Sequence, residues 1–248
     1  MYLIGDIGNT EIKICLFNSN LKLIKKTKIS TISLKKKIFF QKIKFLKKYK
    51  KKIYKILFCS VVPSKFKFIK KNLNKIIKSP CLELKSCKLN SLVKIKVNKK
   101  QIGSDRLANA ISIIDNKSNY IILDFGTATT FDVVNKDKYL GGVIAPGVKL
   151  SLKTLISKAS LIPTVNLSKT SKVVGTNTNS AVKSGFYWGY AGLINNIIKL
   201  IIKQSKKSYK IILTGGLAHL FKNSINVKAT INKDLTINGL LKVASKLK

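Results

Sequence analysis

Residues 3–18 read LIGDIGNTEIKICLFN, and residues 121–136 read IILDFGTATTFDVVNK. Each stretch starts as a short apolar run, meets an aspartate with a glycine two positions later, and resumes with alternating side chains. That is the pattern of a buried strand, a glycine turn and a second strand. Asp6 matches Asp124 and Gly8 matches Gly126, at a constant offset of 118 residues. A turn signal and a third strand follow in both places: SN then LKLIKKTKI in the first, NKDK then YLGGVIAPG in the second. A coincidence of loop glycines would not repeat the whole order, so an internal duplication is the stronger reading. It predicts an α/β chain of two similar lobes, residues 1–115 and 116–248, each a mixed sheet with helices, facing each other around a central cleft.

Between the repeats, residues 34–50 carry Ile38, Phe39, Phe45, Leu46 and Tyr49 among lysines, which predicts one helix with a solvated face. KILFCSVVP reads as a buried strand stopped by Pro63, and Phe66, Ile69, Leu73, Ile76 and Ile77 mark one face of the next helix. Later, Val182, Phe186, Tyr190, Leu193, Ile197 and Ile201 trace the expected apolar stripe of a helix. YKIILTGGLAH is a strand into a Gly-Gly turn, and LTINGLLKVASKL is a helix.

The 248 residues are 45% hydrophobic, enough for a sizeable core and unlike a disordered basic tail. The formal net charge is +40, and residues 12–82 contain no acid at all. Of the 49 cationic side chains, only Arg106 is not a lysine. Either the surface binds a polyanion, or surface positions have drifted towards lysine. The lysines are spread along the whole chain, and no aromatic–basic RNA-binding motif interleaves with them. Base readout also favours the guanidinium that this chain almost lacks. Drift is therefore favoured, with nucleic acid bound only non-specifically, at low salt. Cys15, Cys59, Cys81 and Cys87 form no C-x-x-C pair. Reduced thiols in a cytoplasmic protein are expected rather than a metal site or disulfides. The first ten residues carry a carboxylate at position 6, unlike a signal peptide. No apolar run approaches the ~20 residues of a membrane span.

An aspartate at a strand end, followed by Gly8, Asn9 and Thr10, suits phosphate. Glycine lets the backbone come close, turn N–H groups and Thr10 can donate to phosphate oxygens, and Asp6 can hold Mg²⁺ directly or through water. Alone, the same residues also fit a turn aspartate capping its own backbone. The second copy, Asp124 to Thr127, strengthens the phosphate reading: a nucleotide could lie between two such hairpins. Thr214-Gly215-Gly216 adds a third glycine turn. Gly103-Ser104-Asp105-Arg106 sets a scarce acid beside the single arginine. The carboxylate can act as general base for an acceptor hydroxyl, and the guanidinium can grip a carboxylate or phosphate through two bonds. The plainer alternative is a surface ion pair of little worth. His219, the single histidine, has no evident partner, and Tyr187 and Trp188 read as core or subunit interface.

Taken together, D-x-G-N-T (6–10), G-x-D-R-x-A-N (103–109), D-x-G-T-A-T-T (124–130), G-G-x-I-x-P-G (141–147), V-G-x-N-T (174–178) and T-G-G (214–216) closely resemble the type III pantothenate kinases, in order and over nearly the whole chain. The resemblance implies the acetate and sugar kinase/Hsp70/actin fold of two duplicated ribonuclease-H-like lobes. It implies ATP-dependent phosphorylation of pantothenate to 4′-phosphopantothenate, the first step of coenzyme A biosynthesis. It assigns Asp6, Ile7, Gly8, Asn9, Thr10, Glu11, Ile12 and Lys13 to the ATP phosphates, with Asp6 near Mg²⁺, and Thr127 to a further ATP contact. It makes Asp105 the catalytic base and Gly103, Ser104, Asp105, Arg106 and Thr178 the pantothenate contacts. Asp124 would hold a monovalent cation, K⁺ or NH₄⁺, and the protein would be a homodimer.

One departure stands out. Upstream of G-x-D-R the family usually carries a Tyr and a Pro that line the pocket; here the run is KVNKKQIGSDR, with Lys96 about where the ring would fall. A raised KM for pantothenate is the expectation. Three other readings compete: a non-enzymatic, nucleic-acid-associated transcriptional accessory factor of the same fold, a kinase of another small alcohol, and a degenerate chain. The joint presence of Asp6, Asp105 and Asp124 favours the enzyme.

Overall fold

The structure is a computed structural model that describes residues 1–247. Strands β1 (Tyr2–Ile7), β2 (Glu11–Phe17), β3 (Leu23–Ser30), β4 (Lys55–Ser60) and β5 (Cys81–Glu83) form one sheet in the order β3-β2-β1-β4-β5. A short β6 (Lys94–Ile95) follows. Strands β7 (Asn119–Phe125), β8 (Ala128–Asn135), β9 (Lys138–Pro146), β10 (Lys210–Gly215) and β11 (Ala229–Ile231) form the second sheet, in the order β11-β10-β7-β8-β9, with β6 beyond β9. Read from β9, that order repeats the first sheet. In both sheets the first two strands are antiparallel, and the fourth and fifth run parallel to the first. The duplication seen in the sequence is thus a duplication of topology.

The helices are α1 (Lys36–Lys42), α2 (Pro63–Leu73), α3 (Ser104–Ile113), α4 (Val148–Lys158), α5 (Thr178–Ser205), α6 (Ala218–Phe221) and α7 (Leu235–Lys246). The single helix expected over 34–50 is instead α1 followed by a 3₁₀ turn, Lys44–Lys48. Mixed spacing of the apolar residues, with no cap at Lys35, supports two short pieces better than one long one. In α5 the buried stripe is Ser184, Tyr187, Ala191, Ile194 and Ile198. Phe186, Tyr190, Leu193, Ile197 and Ile201 flank it, partly buried against the same core. A count of large apolar residues passes over the small members of the buried stripe, Ser184 and Ala191.

The chain divides into two compact units, one of residues 1–114, 137–139 and the segment from Asp234 onward, the other of residues 115–136 and 140–233. Chain order assigns residues 1–115 and 116–248 to the two lobes, whereas the α7 segment packs with the first unit. There α7 lies on α3, β1 and β4. Thr236 donates to Asn109 Oδ1 at 2.8 Å, Lys242 donates to the Ile114 carbonyl at 2.7 Å, and Asp234 pairs with Lys26. Gly239 meets the Ala108 backbone with no room for a side chain.

Alternation along the strands sorts the first sheet's side chains. Leu3, Ile7, Ile56 and Phe58 face a core with Phe39, Ile69 and Leu73. Ile4, Asp6, Leu57 and Cys59 therefore face the other way, towards the side covered by α3 and α7.

Candidate active site

Asp6 lies near the end of β1, and its cross-strand partner in β2 is Lys13. The Lys13 ammonium stands 3.8 Å from Asp6 Oδ2. On the parallel side Asp6 is in register with Cys59 of β4, whose thiol donates to Asp6 Oδ1 at 3.4 Å. Burial holds the Asp6 carboxyl above the usual carboxylate range, Lys13 pulls it back down, and the charge of Asp105 pushes it up again. Burial, with Asp6 and Asp105 adding to it, drives the Cys59 thiol well above its ordinary value. Cys59 is accordingly a proton donor to Asp6 and not a nucleophile.

The hairpin after Asp6 is closed by the Gly8 N–H donating to the Glu11 carbonyl at 3.0 Å. Ile7 and Ile12 are buried below it, while Asn9 and Thr10 are exposed at its tip. Glu11 pairs with Lys28 at 3.1 Å. Exposed turn donors above a lysine suit the oxygens of a phosphate chain.

Asp105 sits in the first turn of α3. Its Oδ1 accepts the N–H of Arg106 at 2.8 Å, folding the carboxylate back over the helix start. Gly103 makes this possible, since a Cβ there would stand 2.5 Å from Asp105 Oδ1. Burial raises the Asp105 carboxyl above its ordinary value, against the opposing pull of the Arg106 amide and guanidinium. Asp105 is close enough to Asp6 for their charges to interact. A buried carboxylate with raised proton affinity is what a general base at neutral pH requires.

In the second unit, Asp124 ends the equivalent strand, and its register partner in β8 is Thr130. The buried Thr130 hydroxyl has no hydrogen-bond partner among the described residues. Gly215, at φ +86°, presses on Asp124 so closely that a Cβ would lie 2.6 Å from Oδ1. An acid and an unsatisfied hydroxyl on one face of a hairpin form an oxygen-only donor set, the chemistry that hard cations take. Thr127 is exposed at the tip of this hairpin. Thr178 is the exposed first residue of α5, beside an Asn177–Ser180 capping box. His219 is exposed on α6, Tyr187 is core and Trp188 is exposed.

The structure thus brings Asp6, Lys13 and Asp105 together within the first unit and Asp124 with Gly215 within the second. Cys59 and Glu83 were missed by sequence reasoning. Their signals were present: Cys59 stands at the same depth in its strand as Asp6, and Glu83 is the first acid after the acid-free stretch.

A family model described as type III pantothenate kinase matches residues 2–200. A type III pantothenate kinase of Pelagibacter ubique (strain HTCC1062) is 59% identical over 100% of both chains. Among solved structures, a protein described as a Baf family transcriptional activator from Campylobacter jejuni aligns over 97% of this chain and 96% of its own, with a TM-score of 0.61 and 20% identity. A 2-dehydro-3-deoxygalactonokinase protein from Sinorhizobium meliloti aligns over 99% and 98%, with a TM-score of 0.60 and 11% identity. At such identities the solved structures speak for the shared fold alone, the duplicated actin-like one, whereas sequence similarity over the full length speaks for the family. The chain belongs to the type III pantothenate kinase family.

Proposed function

We infer that the protein is an ATP-dependent kinase that phosphorylates pantothenate to 4′-phosphopantothenate, in coenzyme A biosynthesis. The observation that carries the chemistry is Asp105, a half-buried carboxylate with raised proton affinity fixed at the head of α3 beside the single arginine. Asp105 accepts the proton of the primary hydroxyl as its oxygen attacks the γ-phosphorus in line. Arg106, with Gly103, Thr178 and the backbone of Ser104, holds pantothenate. Ile7, Gly8, Asn9, Thr10, Glu11, Ile12 and Lys13 cradle the phosphates of ATP, and Thr127 adds a further contact. Asp6 would hold Mg²⁺ and Asp124 a monovalent cation, K⁺ or NH₄⁺; when bound, these ions offset negative charge on the phosphates.

Exposed apolar residues support a homodimer, and free thiols support a cytoplasmic location. Leu140, Val143 and Ile144 of β9 and Leu150 of α4 are exposed apolar residues that a second copy would cover. The four cysteines are buried and free, as in a reducing compartment. Among the described residues no helix is long and apolar enough to cross a membrane. Lys96 follows β6, is exposed and donates its N–H to the Tyr139 carbonyl at 2.9 Å; in this reading its ammonium meets the pantothenate carboxylate. The non-enzymatic reading is not favoured, because the full-length relative is a kinase.

A coupled ADP-release assay with ATP, Mg²⁺ and pantothenate, run in K⁺ and then in Na⁺, tests the reading. Turnover that needs pantothenate and is faster in K⁺ is expected. A folded protein that releases no ADP would sink it. Lys96→Tyr should lower the KM for pantothenate, and an unchanged KM would remove Lys96 from the pocket.

A further inference from the structure

Glu83 is one of only two glutamates in the chain, and it ends β5 in register with Phe58, next to Cys59. Both its oxygens are engaged. Oε2 accepts the Lys85 N–H at 2.6 Å, and Oε1 accepts the hydroxyl proton of Ser104. Two residues on, the Lys85 ammonium donates to the carbonyls of Lys100 and Ile102, at 2.9 and 3.0 Å. One short segment therefore grips the backbone on the near side of Gly103 and the side chain on its far side.

This matters because α3 has no cap of its own. Its N-cap is Gly103, which offers no side chain to the first-turn amides. The position of the first turn, which carries Asp105 and Arg106, is set from outside, and Ser104 is almost fully buried where Glu83 reaches it. In a chain with nine acids against 49 cations, this carboxylate is spent on a neutral hydroxyl and an amide.

We propose that Glu83 is a positioning residue: through Ser104, and with Lys85 holding 100–102, it fixes the turn that presents Asp105 and Arg106 to the acceptor. The proposal rests on the assignment of that turn to pantothenate. Its mechanism is steric, because misplacing a base by a fraction of an ångström lowers turnover without touching the reacting groups.

The test compares Glu83→Leu, Glu83→Gln and Lys85→Met with the wild type. It reads KM for pantothenate and for ATP separately, kcat, thermal midpoint, and amide hydrogen exchange across residues 98–108. Glu83→Leu should raise the pantothenate KM and lower kcat, each by roughly tenfold, with the ATP KM within about twofold. Glu83→Gln keeps one acceptor oxygen and can donate to the Ser104 oxygen, so it should recover to within about threefold of wild type. Lys85→Met should loosen 100–102 and produce a weaker form of the same pattern. Exchange across 98–108 should rise in Glu83→Leu and Lys85→Met. Equal losses for ATP and pantothenate, or a lowered melting point with unchanged KM values, would reduce Glu83 to a purely structural role and overturn the proposal. If Glu83→Leu does not fold, Glu83→Gln and Lys85→Met carry the test, and unchanged exchange in Lys85→Met overturns it. A wild type without pantothenate turnover would remove the functional reading instead, and the exchange data would still judge the latch.

Discussion

The two hairpins that announce the duplication are not copies in what they hold. In the first, Asp6 faces Lys13 across the pair, seven positions on; in the second, Asp124 faces Thr130, six positions on. The turns account for the missing residue: Gly8 N–H reaches the carbonyl three residues ahead, whereas Gly126 N–H reaches only two ahead, to Ala128 at 3.1 Å. The offset of 118 therefore holds along the first strand of each pair and slips to 117 along the second. The parallel neighbours differ as well. Cys59 donates its thiol to Asp6, while the strand beside Asp124 ends in a left-handed glycine that crowds the carboxylate. The one-residue difference in turn length leaves one acid facing a covalently tethered ammonium and the other facing a neutral hydroxyl. The first suits phosphate, and the second suits a mobile cation.

The comparison can be broken at several points. Asp105→Asn, in the unit of the first hairpin, should lower kcat by about 10²–10⁴-fold, the range for loss of a general base, in the ADP-release assay. The same substitution should raise the melting temperature of the ligand-free protein at pH 7. Asp6 and Asp105 are held above their ordinary values, so the native state binds protons more tightly than the unfolded chain. Their stabilising contribution is present at acid pH and lost as pH rises through the raised values, so removing one charge at pH 7 relieves a penalty. A variant that is inactive and also less stable would contradict this. Gly215→Ala, in the second unit, should cost about 1–3 kcal/mol by chemical denaturation, since both the positive φ and the Asp124 contact oppose a Cβ. Thr130→Lys would rebuild the first hairpin's charge pattern in the second. Any K⁺-over-Na⁺ preference of turnover should then fall to roughly one, because a tethered ammonium replaces the ion; a preserved preference would place the cation elsewhere. The smallest effect is on the pH profile. The acid limb of kcat/KM should lie above the ordinary aspartate value of 3.8 and disappear in Asp105→Asn.

Much of this was legible before the structure. The repeat gave the α/β class and its duplication because strand–turn–strand patterns have period and punctuation that survive in one sequence; the order of strands within each sheet came only with the structure. The scarcity of acids singled out Asp105 beside the only arginine, and the repeated Asp-x-Gly turn singled out Asp6 and Asp124 as candidates. What stayed hidden depends on pairing across the chain. Cys59 becomes Asp6's partner only through the parallel β1–β4 register, and Glu83 reaches Ser104 across 21 positions. The turn-length difference was hidden because an offset read on the first strand was carried unchanged into the second. α7 was misplaced because position along the chain says nothing about which helix offers a bare backbone at Ala108.

That placement of α7 has a consequence for how the protein is made. A ribosome delivers β1 to α3 first, then the whole of the second unit, and only afterwards the helix that covers α3, β1 and β4. Until α7 emerges, Ile4, Leu57 and the flank of α3 lack their cover, and the corner that holds Asp6 and Asp105 cannot close. Under vectorial synthesis all residues of the second unit are thus available before the first unit has its last helix, so closure of the first unit depends on contacts of long sequence separation.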